Sequence, residues 1–595
     1  MLADLNSQQL NAVQAEHDTL LLACPGSGKT RVLTRKIAYE LERLESKKKF
    51  IIALTYTSRA AEEIQKRIDE LGVEQDQLWA GTLHSFCYQW IIKPYAELSP
   101  PLVNGFTILD EFKKEKILNE LKTKYSLPPY QAINTSLTRH GKYVDTEPVH
   151  QQVVKEYHKS LVENKEIDYE LILYISYKLL NTNKKIRRHL SSMFRYVFVD
   201  EYQDTSDLQY GIIGHIVRPS NGKCNVFMVG DPDQSIYSSL GGIAKPLKEI
   251  KIEMGSQNLK QLMLSGNYRS SQRVVDFSSE FQMEDMKVEA VGKYAFERGQ
   301  ISLNHTIDQK DLPKEIAALI TYYLDQGIRP NEICVIAPQW YFLYPVAKTL
   351  RTLLPHVPFE APDSIPLPKN KDNFWWKLAR LFLTDPDPEN FLHRFRWVKR
   401  VMEDLNDYTH ENFALNHNDC RRYLKWINSI KPSQTDGVLY LEQAFKEFFN
   451  KLRIDFRHNQ VLHEQWETFF NGIKQRFESK AFEDVPNTID YFKGMFKPSN
   501  GVVVNTCYGV KGEEYEVVIA FGLLWGYIPH WNIIYNESQH TVDTSSNNLL
   551  YVISSRAKRN LHLFAENGRS TTAGSPYRIN RHLANVRFEY DEQFV

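Results

Sequence analysis

The sequence predicts an α/β protein with parallel, doubly wound sheets: two such cores, each interrupted by a mainly helical insertion. Three observations predict it. A glycine-rich loop at 23–30 joins the apolar run Leu21-Leu22 to a helical pattern. Short β-branched runs recur at 50–55, 224–229, 333–337, 501–506 and 515–521, separated by helical patterns, as the strands of parallel sheets do. These runs fall in four blocks, 1–88, 190–275, 276–360 and 500–595. Between them, 89–189 and 361–499 are rich in Lys, Glu, Leu and aromatics at helical spacing and poor in strand runs.

With 595 residues the chain exceeds a single core, and about three to five domains are expected. The first core is assigned to 1–88 with 190–275, and its insertion to 89–189. The second core takes 276–360 with 500–595, and its insertion 361–499. Asp385-Pro386-Asp387-Pro388 reads as a turn between helices of that second insertion.

The 73 basic residues balance 73 acidic ones, so net charge gives no argument for a polyanionic partner, and any such site must be a local groove. Six scattered cysteines contain no Cys-x-x-Cys pair, which disfavours a zinc or iron–sulfur centre and suggests a reducing compartment. No run of about 18 apolar residues occurs, and Met1-Leu2-Ala3-Asp4-Leu5-Asn6 lacks a basic segment leading into an apolar one. A cytoplasmic protein that does not span a membrane is expected.

The loop Ala23-Cys24-Pro25-Gly26-Ser27-Gly28-Lys29-Thr30 has the composition of a phosphate cradle, with Ala23 where the strict pattern has glycine. Backbone N–H groups of 25–28 can converge on a β-phosphate, Lys29 can reach the β- and γ-phosphates, and Thr30 can ligate Mg²⁺. A second half-site follows at Tyr196-Val197-Phe198-Val199-Asp200-Glu201. It reads as a buried strand ending in two carboxylates, Asp200 for Mg²⁺ and Glu201 for polarising the attacking water.

Further motifs follow in order. Leu5-Asn6-Ser7-Gln8-Gln9 precedes the loop, and Thr55-Tyr56-Thr57-Ser58-Arg59-Ala60-Ala61 and Gly81-Thr82-Leu83-His84-Ser85-Phe86 come after it. Asp200-Glu201-Tyr202-Gln203-Asp204-Thr205, Gly230-Asp231-Pro232-Asp233-Gln234-Ser235-Ile236-Tyr237 and Asn267-Tyr268-Arg269-Ser270 come next. Lys511-Gly512-Glu513-Glu514-Tyr515 and Ser555-Arg556-Ala557 close the series. The ordered set resembles the UvrD/Rep-type DNA helicases of superfamily 1, over essentially the whole chain.

That resemblance implies two RecA-like domains with parallel sheets (1A and 2A), inserted 1B and 2B subdomains, ATP with Mg²⁺ between the cores, and 3′→5′ motion on single-stranded DNA. It implies nucleotide contacts from Gln9 (adenine), Ala23 to Arg31 (phosphates), Tyr268 (adenine stacking), Gly512 (near the γ-phosphate) and Glu514 (ribose). Arg31 is counted among these nucleotide contacts. Lys29, Glu201, Gln234, Arg269 and Arg556 are the implied catalytic set, with Gln234 sensing the γ-phosphate and the two arginines acting as fingers. Tyr56, Thr57 and His84 match strand-contacting positions, and Tyr508 stands where a DNA-contacting histidine is usual. Lys184-Lys185-Ile186-Arg187-Arg188 and Arg394-Phe395-Arg396-Trp397-Val398-Lys399-Arg400 read as solvated helix faces.

The sequence departs from the family after Tyr237. Ser239 and Leu240 stand where a base-stacking tryptophan and its coupling arginine are usual. Asn547-Asn548 replace a basic pair, and Trp525 precedes Gly526 where an acid is common. Loss of a stacking ring removes about 1–3 kcal/mol per base, so weak unwinding without a partner is expected. Two readings follow. One is a 3′→5′ translocase or helicase acting on single-stranded or tailed duplex DNA. The other is a DNA-stimulated regulatory ATPase paired with a partner such as an anti-phage nuclease.

Overall fold

The computed structural model describes residues 2–109, 111–361, 367, 373–388, 390–409, 411–478, 485–497, 500–571 and 573–592, the side chains of Phe112 and Ser239 excepted. Contacts divide the chain into two compact units. One comprises Met1–Leu109, Ile117–Leu354 and Asn505–Val595, the other Asp110–Lys116 and Pro355–Val504.

The first unit holds two parallel sheets. In one, the six strands lie in the order Leu78–Thr82, Phe50–Thr55, Phe194–Asp200, Asn225–Gly230, Thr19–Ala23, Lys260–Leu264. All five pairings are parallel. Because strand side chains alternate, Leu20 and Leu22 pack on one face with Ile52, Leu54, Val197 and Val199, while Leu21 and Ala23 pack on the other with Ile51, Ala53 and Phe198. Helices cover both faces, which is why the strands read as unbroken apolar runs. In the other sheet, Ile301–Asn304, Ala557–Phe564, Tyr515–Ala520 and Ile333–Ala337 follow one another, again parallel.

The helices of 89–189 divide their apolar faces between the first sheet and a cluster of their own. Ile172, Leu180 and Ile186, on helices Tyr169–Thr182 and Lys184–Met193, share one hydrophobic cluster with sheet residues Leu20, Ile52 and Val226. A smaller cluster gathers Leu109, Leu118, Val153, Tyr157 and Leu161.

The second unit is mainly helical. Helices Phe374–Leu383, Phe391–Thr409, His417–Ser429, Gly437–Leu452 and Gln460–Glu478 enclose a fully buried Trp375. Its indole donates to the Leu462 carbonyl (2.9 Å), and Phe445, Phe449, Phe456 and Trp466 surround it with centroids 4.8–5.2 Å away. The Asp385–Pro388 turn falls between the first two of these helices, as expected. Arg394 from the basic run is buried, donating to the Leu381 carbonyl and to Asn428. Arg187 from the other run donates to the carbonyls of Leu180 and Asn181, at the end of the preceding helix.

Candidate nucleotide site and strand track

Both sheets of the first unit carry the chemistry-bearing residues beyond the carboxyl ends of their strands, where open α/β sheets place ligand sites. The buried strand Thr19–Ala23 runs into the loop, and the helix Lys29–Glu42 starts at Lys29 with Gly28 as its left-handed N-cap (φ 85°). That helix start exposes backbone N–H groups and the positive end of the helix dipole, the combination that receives phosphate. Gly26 is also left-handed (φ 70°), and its carbonyl accepts from the Tyr268 N–H (2.9 Å), tying the loop to the Asn267–Ser270 turn.

Gln9 and Tyr268 flank the loop. Asn6 and Gln9 form a capping box at the helix Ser7–Gln14, and the Gln9 amide donates to the Ser27 carbonyl (3.0 Å). The Asn6 side chain donates to the Tyr268 hydroxyl (2.6 Å), leaving the ring 40% exposed. Arg31 turns away to an ion pair with Asp4, its guanidinium half-exposed. Burial pushes the Cys24 thiol up to about 12, so it remains protonated beside the loop.

Lys29 Nζ donates to the Ala23 carbonyl (3.2 Å) and stands 4.0 Å from Asp231. Asp200 and Glu201 end the strand Phe194–Asp200, with Glu201 in the left-handed region (φ 52°). Burial and the neighbouring Glu201 raise the Asp200 carboxyl well above its ordinary value. Glu201 moves the other way. Burial opposes its ionisation, but Lys29, Lys511, a hydrogen bond from Gln203 (2.6 Å) and Arg556 more than offset this. Asp200 and the Thr30 hydroxyl are the groups that would hold a divalent cation here, whose charge would favour the ionised Asp200 carboxylate.

The second sheet answers across the cleft. Arg556 is 1% exposed and donates to Gln234 Oε1 (2.9 Å), the Glu513 carbonyl (3.1 Å) and the Val552 carbonyl (3.0 Å). Burial, with Arg269 nearby, lowers its pKa to about 9. Gln234 in turn donates to Asp231 Oδ2 (2.6 Å). A continuous chain Arg556–Gln234–Asp231–Lys29 therefore joins the two sheets. Arg269 spans the same gap, donating to Glu514 (2.8 Å) and to the Ser555 carbonyl (2.9 Å). Gly512 is left-handed (φ 88°), with nothing near its Cα that a side chain would meet.

The strand candidates gather beside this cleft. Tyr56, His84, Thr82, Glu201 and Asp204 help line one cavity of about 280 Å³. Tyr56 stacks on Tyr237 (centroids 4.9 Å, 15°), and Tyr508 lies against Tyr237 at 6.3 Å. Thr57 serves as N-cap of the helix Ser58–Glu70, its hydroxyl accepting from Ala60 N–H. Leu240 is 70% exposed, while the backbone after it is fastened, Ile243 N–H donating to the Thr205 carbonyl (3.0 Å). The side chain of Ser239 lies outside the described residues.

Sequence reasoning gave no role to Gln203, Asp231, Tyr237 or Lys511, although each lies inside a motif it quoted. Gln203 is fully buried and holds both Glu201 and the Asp231 N–H (3.1 Å).

Comparison with known proteins bears on the same residues. The profile of the UvrD/REP helicase N-terminal domain matches residues 5–255. The ATP-dependent DNA helicase PcrA of Staphylococcus epidermidis is 22% identical over 95% of this chain and 83% of its own length. PcrA of Bacillus subtilis is 30% identical over 47% of this chain and 39% of its own, and a probable DNA helicase II homolog of Mycoplasma genitalium is 24% identical over 94% and 84%. With similarity running through nearly the whole sequence, and the motifs that carry it converging on one cleft between two parallel sheets, the chain belongs to the UvrD/Rep-type helicases of superfamily 1.

Proposed function

We propose that this protein is an ATP-driven motor on DNA, a 3′→5′ single-strand translocase and helicase that hydrolyses ATP between its two sheet-bearing cores. The observation that carries the reading is Gln234, held from one core by Asp231 and from the other by Arg556. A γ-phosphate sensor shared by both cores makes hydrolysis depend on their closure, and closure is what moves a strand.

The backbone of 25–28 receives the phosphates, and Lys29 exchanges the Ala23 carbonyl for phosphate oxygens. Asp200 and Thr30 are the residues that would hold Mg²⁺, which neutralises phosphate charge when bound. Glu201, kept ionised and oriented by Gln203, accepts the proton of the attacking water. Arg556 and Arg269 offset the charge that spreads over the γ-phosphoryl oxygens, and their present carbonyl and carboxylate partners are what nucleotide would displace. Tyr268 supplies a stacking face for adenine, and Glu514 a ribose contact.

Tyr56, Thr57, His84 and Tyr508 form the proposed strand track, mixing rings and hydroxyls that grip bases and phosphates without reading sequence. In domain terms we assign 1–88 with 190–275 to 1A, 89–189 to 1B, 276–360 with 500–595 to 2A, and 361–499 to 2B. A cytoplasmic location fits six buried free thiols, and among the described residues no helix is long and apolar enough to cross a membrane. The regulatory reading with a partner nuclease draws no support from the relatives named above.

The test is ATP turnover with and without single-stranded DNA, together with strand displacement from 3′- and 5′-tailed duplexes. Stimulation plus displacement from the 3′ tail alone is the expected result. Turnover indifferent to DNA would sink the motor, and displacement from the 5′ tail would reverse the polarity.

A further inference from the structure

Lys511 lies where the ring track meets the hydrolytic centre. Its side chain is 9% exposed and that of Asp204 is 2%. The ammonium donates to both Asp204 oxygens (2.9 and 2.6 Å) and to the backbone carbonyl of Gln234 (2.7 Å), and sits 4.9 Å from the centre of the Tyr237 ring. Asp204 and Gln234 belong to the first core, whereas Lys511 follows the strand Val502–Thr506 of the second. Gln234 is thus held from the second core at two points, its main-chain oxygen by Lys511 and its side-chain oxygen by Arg556.

The other face of the same contact is aromatic. Tyr237 stacks on Tyr56, and its hydroxyl donates to the carbonyl of Tyr508 (3.2 Å), which also accepts from the Lys511 N–H (3.4 Å). A base that inserts between these rings parts Tyr237 from Tyr56 (centroids 4.9 Å) or from Tyr508 (6.3 Å), and it acts on Lys511 where Tyr237 or Tyr508 shifts. Either shift bears on Lys511, through its cation–π face or through its backbone. The Leu240 side chain is exposed, and its tie to this cluster is main-chain alone, its N–H donating to the Tyr237 carbonyl (2.9 Å).

We propose that Lys511 is the positioning residue that couples strand occupancy at Tyr56, Tyr237 and Tyr508 to the setting of Gln234, so that DNA stimulates hydrolysis through it. This rests on the motor reading above. Lys511 touches neither nucleotide nor strand in this role. It acts by fixing the Gln234 backbone when the rings are in one arrangement and loosening it in the other. A buried ion pair with three hydrogen bonds suits a two-position element, since it is either fully made or costly.

The test compares wild type with Lys511→Met, Lys511→Arg and the double variant Lys511→Met/Asp204→Leu, in the full chain. Five quantities are read: ATP turnover without DNA, the fold-stimulation by oligo-dT, the affinity for ATP, the affinity for oligo-dT, and Tm. The double variant removes both charges, so neither is stranded in the interior. Expected is a loss of stimulation of about ten-fold or more in Lys511→Met and in the double variant, with ATP and oligo-dT affinities within about three-fold of wild type, and partial rescue in Lys511→Arg. Stimulation that survives in Lys511→Met, or that returns in the double variant along with Tm, overturns the proposal and leaves a stabilising pair. A wild-type protein whose turnover ignores oligo-dT fails the motor reading itself, a result distinct from variants that match a stimulated wild type.

Discussion

Gly26 and Arg269 approach so closely that a Cβ on Gly26 would lie 2.6 Å from the Arg269 Cβ and 2.8 Å from Asn267 Oδ1. The glycine-rich loop is thereby packed against the turn that carries Arg269, the proposed arginine finger, and Tyr268, the proposed stacking ring. Gly26→Ala therefore carries two penalties, a left-handed φ of about 1–2 kcal/mol and a collision with main chain and Arg269. We expect ATP affinity to fall by at least ten-fold with a modest drop in Tm, measured by nucleotide titration and thermal unfolding. Unchanged affinity would mean the turn moves freely.

Glu201→Gln keeps the shape of the base and removes its proton-accepting charge. Turnover should fall by about 10²- to 10⁴-fold with ATP affinity nearly intact. Gln203→Leu should lower turnover less, since it frees Glu201 without neutralising it. Equal effects of the two would assign the proton transfer elsewhere.

Arg556→Ala should reduce kcat by about 10³-fold or more and KM for ATP far less, because its guanidinium meets charge that develops in the transition state. Tyr268→Ala should split the other way: a lost stacking face raises KM by about ten-fold at nearly constant kcat. Steady-state kinetics on the two variants checks both, and a pure KM effect in Arg556→Ala rejects the finger role.

His562 is fully buried between the Ser302 hydroxyl (2.7 Å) and the Tyr323 hydroxyl (2.7 Å), and burial lowers its pKa to about 4. The unfolded chain takes up this proton near pH 6.5 and the folded chain only near 4. Stability is thus retained above about pH 6.5 and lost as pH falls toward 4, by up to about 1.4 kcal/mol per pH unit. His562→Gln should flatten Tm against pH across that window, and an unaltered slope would transfer the acid sensitivity to other groups.

Of the fold, the strands that the sequence reveals are those buried on both faces, such as Ile333–Ala337 and Phe50–Thr55. Lys260–Leu264 escapes because it is a sheet edge whose first residues face solvent, and Ala557–Phe564 because it opens with Lys558, Arg559 and Asn560. The insertion 89–189 reads as separate because its helices are continuous; part of their apolar surface packs within the segment, and the rest, Ile172, Leu180 and Ile186 among it, is completed by the sheet. In the site, the phosphate loop is legible because its geometry is local. Lys511 is not, since its partners at 204, 234 and 237 come together only when the two cores meet.

Gln9 Oε1 accepts from the Asn6 N–H (3.2 Å) and its Nε2 donates to the Ser27 carbonyl (3.0 Å). A carboxamide offers two lone pairs and two N–H groups, so one of each is committed to the fold and one of each remains, side by side. That leftover pair complements an edge that pairs an acceptor with a donor, as adenine N7 and N6 do, and mismatches guanine, whose N7 and O6 both accept. On the proposed motor reading, the side chain that closes the first helix cap and braces Ser27 would thereby favour ATP over GTP as fuel.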